Sequence, residues 1–274
     1  MSDYFKSRFK PAWTGSLLIW MIVMLLTPTV YYISEGNHLT LMTLLGVVAM
    51  SGCVLVSLAG RWSGRRIAGM AALVTGFCLM VEILGSATGF PFGHYQYSGD
   101  FSFQFHGVPL LIPLAWFMMI VPAWGVAAIL LPSRAEGGTV IDRVVFAGLS
   151  GLVMTAWDLL VDPQMVAFGF WEWKNPSGYF GIPWTNFAGW WLTSFLTTLM
   201  VNPRNLPLFQ LLVLYSLTFL FEVIGLGLIF GHPYPALVGG LVMGGFAYTA
   251  WSRYLMPAIR PDLSLARIGE QTPE

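Results

Sequence analysis

The chain has 274 residues, of which 56% are hydrophobic and only 9% are charged, and its formal net charge at pH 7 is zero. A soluble domain of this size would hardly stay in solution with so few charged residues. The composition therefore indicates a polytopic membrane protein. Nucleic acid is not expected as a partner of such a chain. Cys53 and Cys78 both fall in apolar stretches, so neither a disulfide nor a zinc site is expected.

Eight apolar stretches are each about long enough to cross the ~30 Å hydrocarbon core of a bilayer as a helix. The first follows basic residues, as a signal peptide does, but its apolar run is too long and lacks a small-residue cleavage site. We therefore predict an all-α polytopic membrane helix bundle of about eight transmembrane helices, with residues 1–274 forming a single integral membrane domain. In chain order the predicted spans are 13–34, 39–60, 66–87, 108–131, 141–161, 184–201, 206–229 and 234–255.

The basic residues indicate how these helices are oriented. With a cytoplasmic N-terminus, only Lys174 of the 13 Lys and Arg residues falls outside. Cytoplasmic segments of membrane proteins carry an excess of Lys and Arg, so both termini are predicted to be cytoplasmic in a multi-pass plasma-membrane protein. The residues assigned to the inner side are Lys6, Arg8, Lys10, Arg61, Arg65, Arg66, Arg134, Arg143, Arg204, Arg253, Arg260 and Arg267.

Four acidic residues then fall in the outer half of the membrane. Glu82 lies near the outer end of the third helix and Glu222 near that of the seventh, while Asp158 and Asp162 share a face of the fifth. Pro163 disfavours helical geometry at Asp162, so the fifth helix is expected to end there. Ionisable groups in hydrocarbon are costly unless they face a cavity or a partner, so these four are candidates for function.

The two glutamates have similar sequence surroundings. "VEILGSATGFPFGHYQY" and "FEVIGLGLIFGHPYP" both contain a glutamate, an aliphatic pair, a glycine, then Phe-Gly-His and a tyrosine. Both lie on outward-running helices four spans apart, which indicates two four-helix halves of parallel topology, at about 13–131 and 141–255. Glu82 would then correspond to Glu222 across a pseudo-twofold axis.

Two long outer segments, 88–107 and 162–183, are rich in glycine, proline and aromatic residues and poor in charge. This composition suits ordered or re-entrant loops better than disordered linkers. We interpret them as a lid over the acids, although some of their tryptophans fit an aromatic belt at the lipid headgroups.

Neutral acids in a dry, aromatic-rich cavity suit protonation of an alkene dissolved in the membrane. A proton added to a terminal isoprenoid double bond gives a tertiary carbocation, which aromatic faces stabilise by about 0.5–2 kcal/mol per contact. Water near the outer surface can then capture the cation. This chemistry requires neither a cofactor nor a metal, and none is expected.

Four segments carry a resemblance: "VEILGSATGFPFGHYQY", "GVPLLIPLAWFMM", "WDLLVDPQMVAFGFWEW" and "YFGIPWTNFAGW". Together they resemble the membrane carotenoid biosynthesis proteins of the carotenoid 1,2-(1′,2′-)hydratase family (CruF-type, bisanhydrobacterioruberin hydratase-like), over about residues 70 to 245. The resemblance implies addition of water across the terminal 1,2 (or 1′,2′) double bond of an acyclic ψ-end group, giving a tertiary alcohol. The implied substrate is a membrane-dissolved carotenoid such as lycopene, γ-carotene or a C50 analogue. Association with other carotenoid enzymes is a further expectation.

Catalytic roles follow from the acids rather than from the resemblance. Glu82 is our hypothesis for the general acid, and Glu222 or Asp158 for a second carboxyl that orients water and takes its proton. The predicted catalytic residues are Glu82, Asp158, Glu222 and His94. The residues expected to bind substrate or link the site to outer water are Asp162, His232, Tyr95, Tyr97, Trp157, Trp184 and Asn186.

Other functions use parts of the same pattern. A carotene cyclase would use the same proton and cation, with an internal double bond in place of water. A proton-coupled transporter would also use intramembrane acids and repeated halves, but the predicted inner half has no acid or histidine. A prenyltransferase would need two magnesium-binding acidic clusters, and only Asp158-x-x-x-Asp162 resembles one. A scaffold for pigment enzymes, with Glu82 and Glu222 merely joining helices, leaves most of the acids unexplained.

Overall fold

The computed structural model describes residues 10–99, 101, 103–132 and 139–259. This part of the chain forms a helical bundle with eight α-helices and four very short strands. The helices are α1 (Pro11–Ile33), α2 (Leu39–Ala59), α3 (Gly64–Thr88), α4 (Leu111–Leu130), α5 (Val140–Ala167), α6 (Trp184–Val201), α7 (Leu208–Ile224) and α8 (Pro233–Ile259). A π-helical turn, Gly225–Ile229, follows α7.

The predicted all-α polytopic bundle is confirmed. Within the described residues, six helices are long and apolar enough to cross a membrane, namely α1 to α5 and α7 together with its π-helical turn. The other two predicted spans are helices as well, but α6 and α8 are not among those six. In α6 the reason is a series of buried polar residues, Asn186, Thr193, Ser194, Thr197 and Thr198.

Helix α4 lies at the centre of the bundle, in contact with α2, α3, α5, α7 and α8. Most of its residues are buried. At Gly125 it approaches α7 so closely that a Cβ atom there would lie 2.5 Å from the Cβ of Leu211. A glycine at this position therefore sets the distance between α4 and α7.

Helix α5 does not end at Asp162. It continues through Pro163 to Ala167, so the expectation that proline stops it is wrong. Pro163 lacks the N–H that would bond the carbonyl of Leu159. The hydroxyl of Tyr179 donates to that carbonyl instead, at 3.0 Å, and the chain thereby satisfies the acceptor that proline leaves free.

The two long loops are ordered and join each other. Strand β1 (Tyr95–Tyr97) pairs antiparallel with β4 (Trp171–Trp173), so that one strand from each loop forms a two-stranded ribbon. Strands β2 (Gln104–Phe105) and β3 (Val108–Pro109) form a second small ribbon. The expected ordering of these segments is confirmed for their described residues, and their role as a lid stays a prediction.

The bundle has two chemically different ends. The acid end is the one where α3, α5 and α7 finish, and it carries the β1–β4 ribbon. The basic end is the opposite one, where Arg61 donates to Asn205 and Arg253 donates to the carbonyl of Leu130. Of the predicted inner residues, five lie outside the described residues: Lys6, Arg8, Arg134, Arg260 and Arg267.

Candidate active site

Glu82 lies at the acid end, only 4% exposed, and its carboxyl accepts three hydrogen bonds. The hydroxyls of Tyr95 and Tyr97 donate to Oε2, at 2.5 and 2.7 Å. The indole nitrogen of Trp116 donates to Oε1 at 2.7 Å. Both carboxyl oxygens of a membrane-buried acid are therefore hydrogen-bonded, which lowers the cost of keeping a charge there.

The β1–β4 ribbon explains how both tyrosines reach Glu82. Tyr95 and Tyr97 are two residues apart on a strand, so their side chains leave the same face. Burial, and after it the neighbouring Glu82 carboxyl, raises the pKa of both phenols above the usual value. Both hydroxyls consequently stay protonated at neutral pH and remain hydrogen-bond donors.

A second pair of acids lies beside this group. The side-chain nitrogen of Asn186, on α6, donates to Oδ2 of Asp158 at 2.9 Å and also to Oδ2 of Asp162. All three side chains are buried, and Oδ1 of Asp158 has no hydrogen-bond partner within the described part of the chain. Two carboxylates this close repel each other, so the arrangement favours one shared proton between them.

Glu82, Asp162 and Asn186 line one small cavity of about 30 Å³. One water needs roughly 10–15 Å³ of such space and two to four polar partners, so the cavity can hold one or two waters. Its other lining residues are aromatic or aliphatic: Phe92, Tyr95, Tyr97, Ile112, Trp171, Trp173 and Trp190. We call the residues that line this small cavity the Glu82 cluster.

A larger cavity of about 460 Å³ lies next to the Glu82 cluster. Its walls come from α1, α2, α4, α5 and α7, and they are mostly apolar. Leu25 and Ile224, which line it, are 61% and 46% exposed, so the cavity reaches the lipid-facing surface of the bundle. A pocket of this size and character suits part of a long apolar ligand.

Glu222 faces the large cavity rather than the small one. The indole nitrogen of Trp157 donates to its Oε1 at 3.2 Å. The π-helical turn that follows also lines the cavity, and the hydroxyl of Tyr32 donates to the carbonyl of Ile229 there. Short π-helical segments are frequent at functional sites.

A wall of side chains separates the two cavities. Ile112, Trp171 and Trp190 line both of them. The rings of Trp190 and Trp116 are stacked at 4.1 Å between centroids, and Trp157 meets Trp190 edge-on at 5.8 Å. Indole faces therefore lie between Glu82 and Glu222, where they can stabilise a cation.

Most of the predicted site residues meet at the acid end. Glu82, Tyr95, Tyr97, Asp162 and Asn186 line the small cavity, with Asp158 bonded to Asn186, and Glu222 and Trp157 line the large one. Asp158 itself lines neither cavity, and neither do three other predicted residues, namely His94, His232 and Trp184.

These three lie nearer the surface. His94 is exposed, with its ring against Gly89. His232 is half-buried just before α8. Trp184 is 64% exposed and packs on Tyr179.

Sequence reasoning missed several indoles of the site. Trp116 donates to Glu82, while Trp171, Trp173 and Trp190 line the small cavity. Trp116 lies in a continuous apolar helix, where an indole has no distinguishing spacing. All four lie within or beside the segments that carry the family resemblance, and that is the one signal that pointed to them.

Among the residues that the structure describes, no group of three or more His, Cys, Asp or Glu side chains has a metal-binding arrangement.

Comparisons with known proteins show the family of this chain. The chain is 33% identical over 139 residues to the bisanhydrobacterioruberin hydratase of Haloarcula japonica, covering 50% of this chain and 45% of that protein. The match thus spans less than half the length of this relative. No solved structure gives a significant match. The profile of the family described as "Carotenoid biosynthesis protein" matches residues 38–246, which is most of the chain. The chain therefore belongs to this carotenoid biosynthesis protein family.

Proposed function

We propose that the protein is a carotenoid hydratase that adds water across the terminal 1,2 (or 1′,2′) double bond of an acyclic ψ-end group, giving a tertiary alcohol. The observation that carries this proposal is an apolar cavity open to lipid that shares an indole-lined wall with a small, largely aromatic cavity lined by two carboxyls. The reaction named for the Haloarcula japonica relative supports it. The proposed substrate is lycopene, γ-carotene or a C50 analogue dissolved in the bilayer.

In this proposal one end of the polyene enters the large cavity and the rest of the chain remains in the bilayer. The terminal double bond reaches the Glu82 cluster past Ile112, Trp171 and Trp190, so the side chains of this wall must move aside. The binding pose needs no polar anchor, because a hydrocarbon end group is held by apolar contact alone.

Glu82 acts as the general acid. Its proton adds to C2 of the terminal double bond, and the electron pair of the π bond forms the new C–H bond, which leaves a tertiary cation at C1. Protonating an alkene requires a strong acid. The three donors around Glu82 stabilise the carboxylate that remains after the proton leaves, and they are already in place before the reaction. The stacked indoles of Trp116 and Trp190 stabilise the cation.

Water in the small cavity completes the addition. Its oxygen bonds to C1 and one of its protons passes to Asp162, which shares the Asn186 amide with Asp158. A second water then carries a proton from Asp162 back to Glu82, so the net change is addition of one water and no cofactor is consumed. We assign the second carboxyl to the Asp158–Asp162 pair rather than to Glu222, because Glu222 lies across the indole wall.

The test is mass analysis of pigments from cells that accumulate lycopene or γ-carotene, with the parent protein, Glu82→Gln or Glu172→Gln. Glu172 is the matched control because it is exposed in the ribbon, lines neither cavity and has its side chain bonded to Gln96. A product heavier by one water with the parent and the control, but not with Glu82→Gln, is expected. An isomeric product would identify a cyclase, and unchanged pigment in all three strains would reject both enzymes.

We propose a multi-pass protein of the plasma membrane with cytoplasmic termini, and two four-helix halves at about 13–131 and 141–255. Cysteine labelling of intact cells at residues of the basic end, with an acid-end residue such as Lys174→Cys as the accessible control, tests the orientation.

A further inference from the structure

The basic end of the bundle carries a groove that the proposed reaction does not use. Its volume is about 900 Å³, and it lies among α1, α2, α4, α5, α7 and α8. It is larger than the cavity beside Glu222 and lies at the opposite end of the helices. Its lining combines cationic side chains with an apolar wall.

Three cationic side chains line the groove: Lys10, Arg61 and Arg204. All are exposed, and the Lys10 ammonium lies over Gly60, 3.8 Å from where a Cβ would stand. Among the described residues, Asp142 is the one acidic residue at this end of the bundle. Its carboxylate accepts hydrogen bonds from the hydroxyl and the backbone N–H of Thr139 at the start of α5. The groove thus concentrates positive charge that its described surroundings do not neutralise.

The rim that holds these cations is fixed by hydrogen bonds. Trp62 donates its indole N–H to the carbonyls of Arg204 and Asn205, at 2.9 and 3.0 Å. Arg66 donates to the Arg204 carbonyl at 3.1 Å while its guanidinium lies over the Trp62 ring. Arg61 donates to the side-chain oxygen of Asn205 at 3.3 Å. The loop before α7 is therefore tied to the loop before α3, and two carbonyls that would repel an anion are occupied.

The remaining wall is apolar. Trp13 and Phe146 are buried at its base, and Val56 and Leu131 extend it. A small inorganic anion would use the cations and leave this surface unused. A ligand that matches both parts has a phosphate at one end and hydrocarbon at the other.

We propose that this groove binds the phosphate headgroup of an anionic glycerophospholipid of the cytoplasmic leaflet. Arg61 and Arg204 present forked N–H donors that suit phosphate oxygens, and Lys10 adds a point charge. The acyl chains lie along the apolar wall. Basic pockets between transmembrane helices on the cytoplasmic side bind such headgroups in general, and the predicted orientation puts the basic end on that side.

The full-length protein, purified in detergent, is titrated with phosphatidylglycerol, with phosphatidylcholine and with inorganic phosphate, and bound lipid is counted by native mass spectrometry. Three proteins are compared: the parent, the double variant Arg61→Gln/Arg204→Gln, and the control Arg65→Gln/Arg143→Gln. The control loses the same charge at the same end, from exposed residues that do not line the groove. Lys10→Gln is a milder variant, included in case the double variant does not fold.

Phosphatidylglycerol is expected to bind the parent and the control at least tenfold more tightly than phosphatidylcholine does. Affinity should fall about tenfold in the double variant and about threefold in Lys10→Gln. Equal binding of the two lipids, or equal losses in the double variant and the control, would overturn the proposal. If millimolar inorganic phosphate displaces phosphatidylglycerol, the ligand of the groove is a free phosphate and the lipid proposal is wrong. None of these outcomes depends on hydratase activity.

Discussion

Glu82 is 4% exposed and accepts hydrogen bonds from two phenols and an indole, whereas Glu222 is half-buried and accepts one, from Trp157. The two residues follow similar sequence patterns and lie at the same end of the bundle. Glu82 nevertheless shares a water-sized cavity with Asp162 and Asn186, while Glu222 faces an apolar cavity that reaches lipid. Two similar sequence motifs therefore place their carboxyls in chemically different surroundings, and we expect the two residues to have different roles.

The largest effect is expected for Glu82→Gln. The amide keeps the shape of the side chain but has no proton to donate, so the rate of hydrated pigment formation should fall by about 100-fold or more. The rate is measured in membranes that contain equal amounts of parent and variant protein. A loss below about threefold would remove Glu82 from the role of acid.

Asp162→Asn should come next, at about 10- to 100-fold, since the second carboxyl takes the proton of the attacking water. Loss of charge also relieves the repulsion with Asp158, so the variant should fold at least as well as the parent. Thermal unfolding of the purified variant checks that point. Normal turnover in Asp162→Asn would show that another group accepts the proton.

Tyr95→Phe and Tyr97→Phe each remove one donor to Glu82 and should lower kcat about tenfold, with little change in KM. The reason is that the hydrogen bond strengthens only when the carboxylate forms. The matched control is Tyr234→Phe, because this exposed residue lines neither cavity. A rise in KM with unchanged kcat would mean that the phenols bind substrate instead.

The smallest effect is expected for Glu222→Gln, within about threefold in kcat. The carbonyl oxygen of the glutamine can still accept the hydrogen bond from Trp157. The residue lies in the large cavity, across the indole wall from Glu82. Any change should be in KM, as for a residue that lines the route of the substrate. A loss as large as that of Glu82→Gln would move the chemistry to the large cavity.

Much of the fold could be predicted from the sequence. The length of each apolar stretch predicts a helix, and the place of Glu82, Asp158, Asp162 and Glu222 within these stretches predicts their depth in the membrane. The partners of these acids are not local. Trp116 on α4 donates a hydrogen bond to Glu82 on α3, and the β1–β4 ribbon joins strands about 75 residues apart in the chain. No spacing rule links such distant residues.

The helix through Pro163 was missed for the same reason. A local rule ends the helix there, whereas a tertiary hydrogen bond from Tyr179 allows it to continue. Asp162 consequently lies inside α5, where it lines the small cavity, rather than at a helix end. Its neighbour Asn186 was predicted as a site residue, but its bonds to both Asp158 and Asp162 join two helices and could not be read from the sequence.

We propose that the reaction takes place at the Glu82 cluster. Comparing Glu82→Gln with Glu222→Gln in one experiment tests this most directly. Membranes with equal amounts of each protein receive the same carotenoid in oxygen-18 water, and the labelled alcohol is counted by mass spectrometry. We expect labelled alcohol from the parent and from Glu222→Gln, and almost none from Glu82→Gln. Labelled alcohol from Glu82→Gln together with its loss in Glu222→Gln would contradict it.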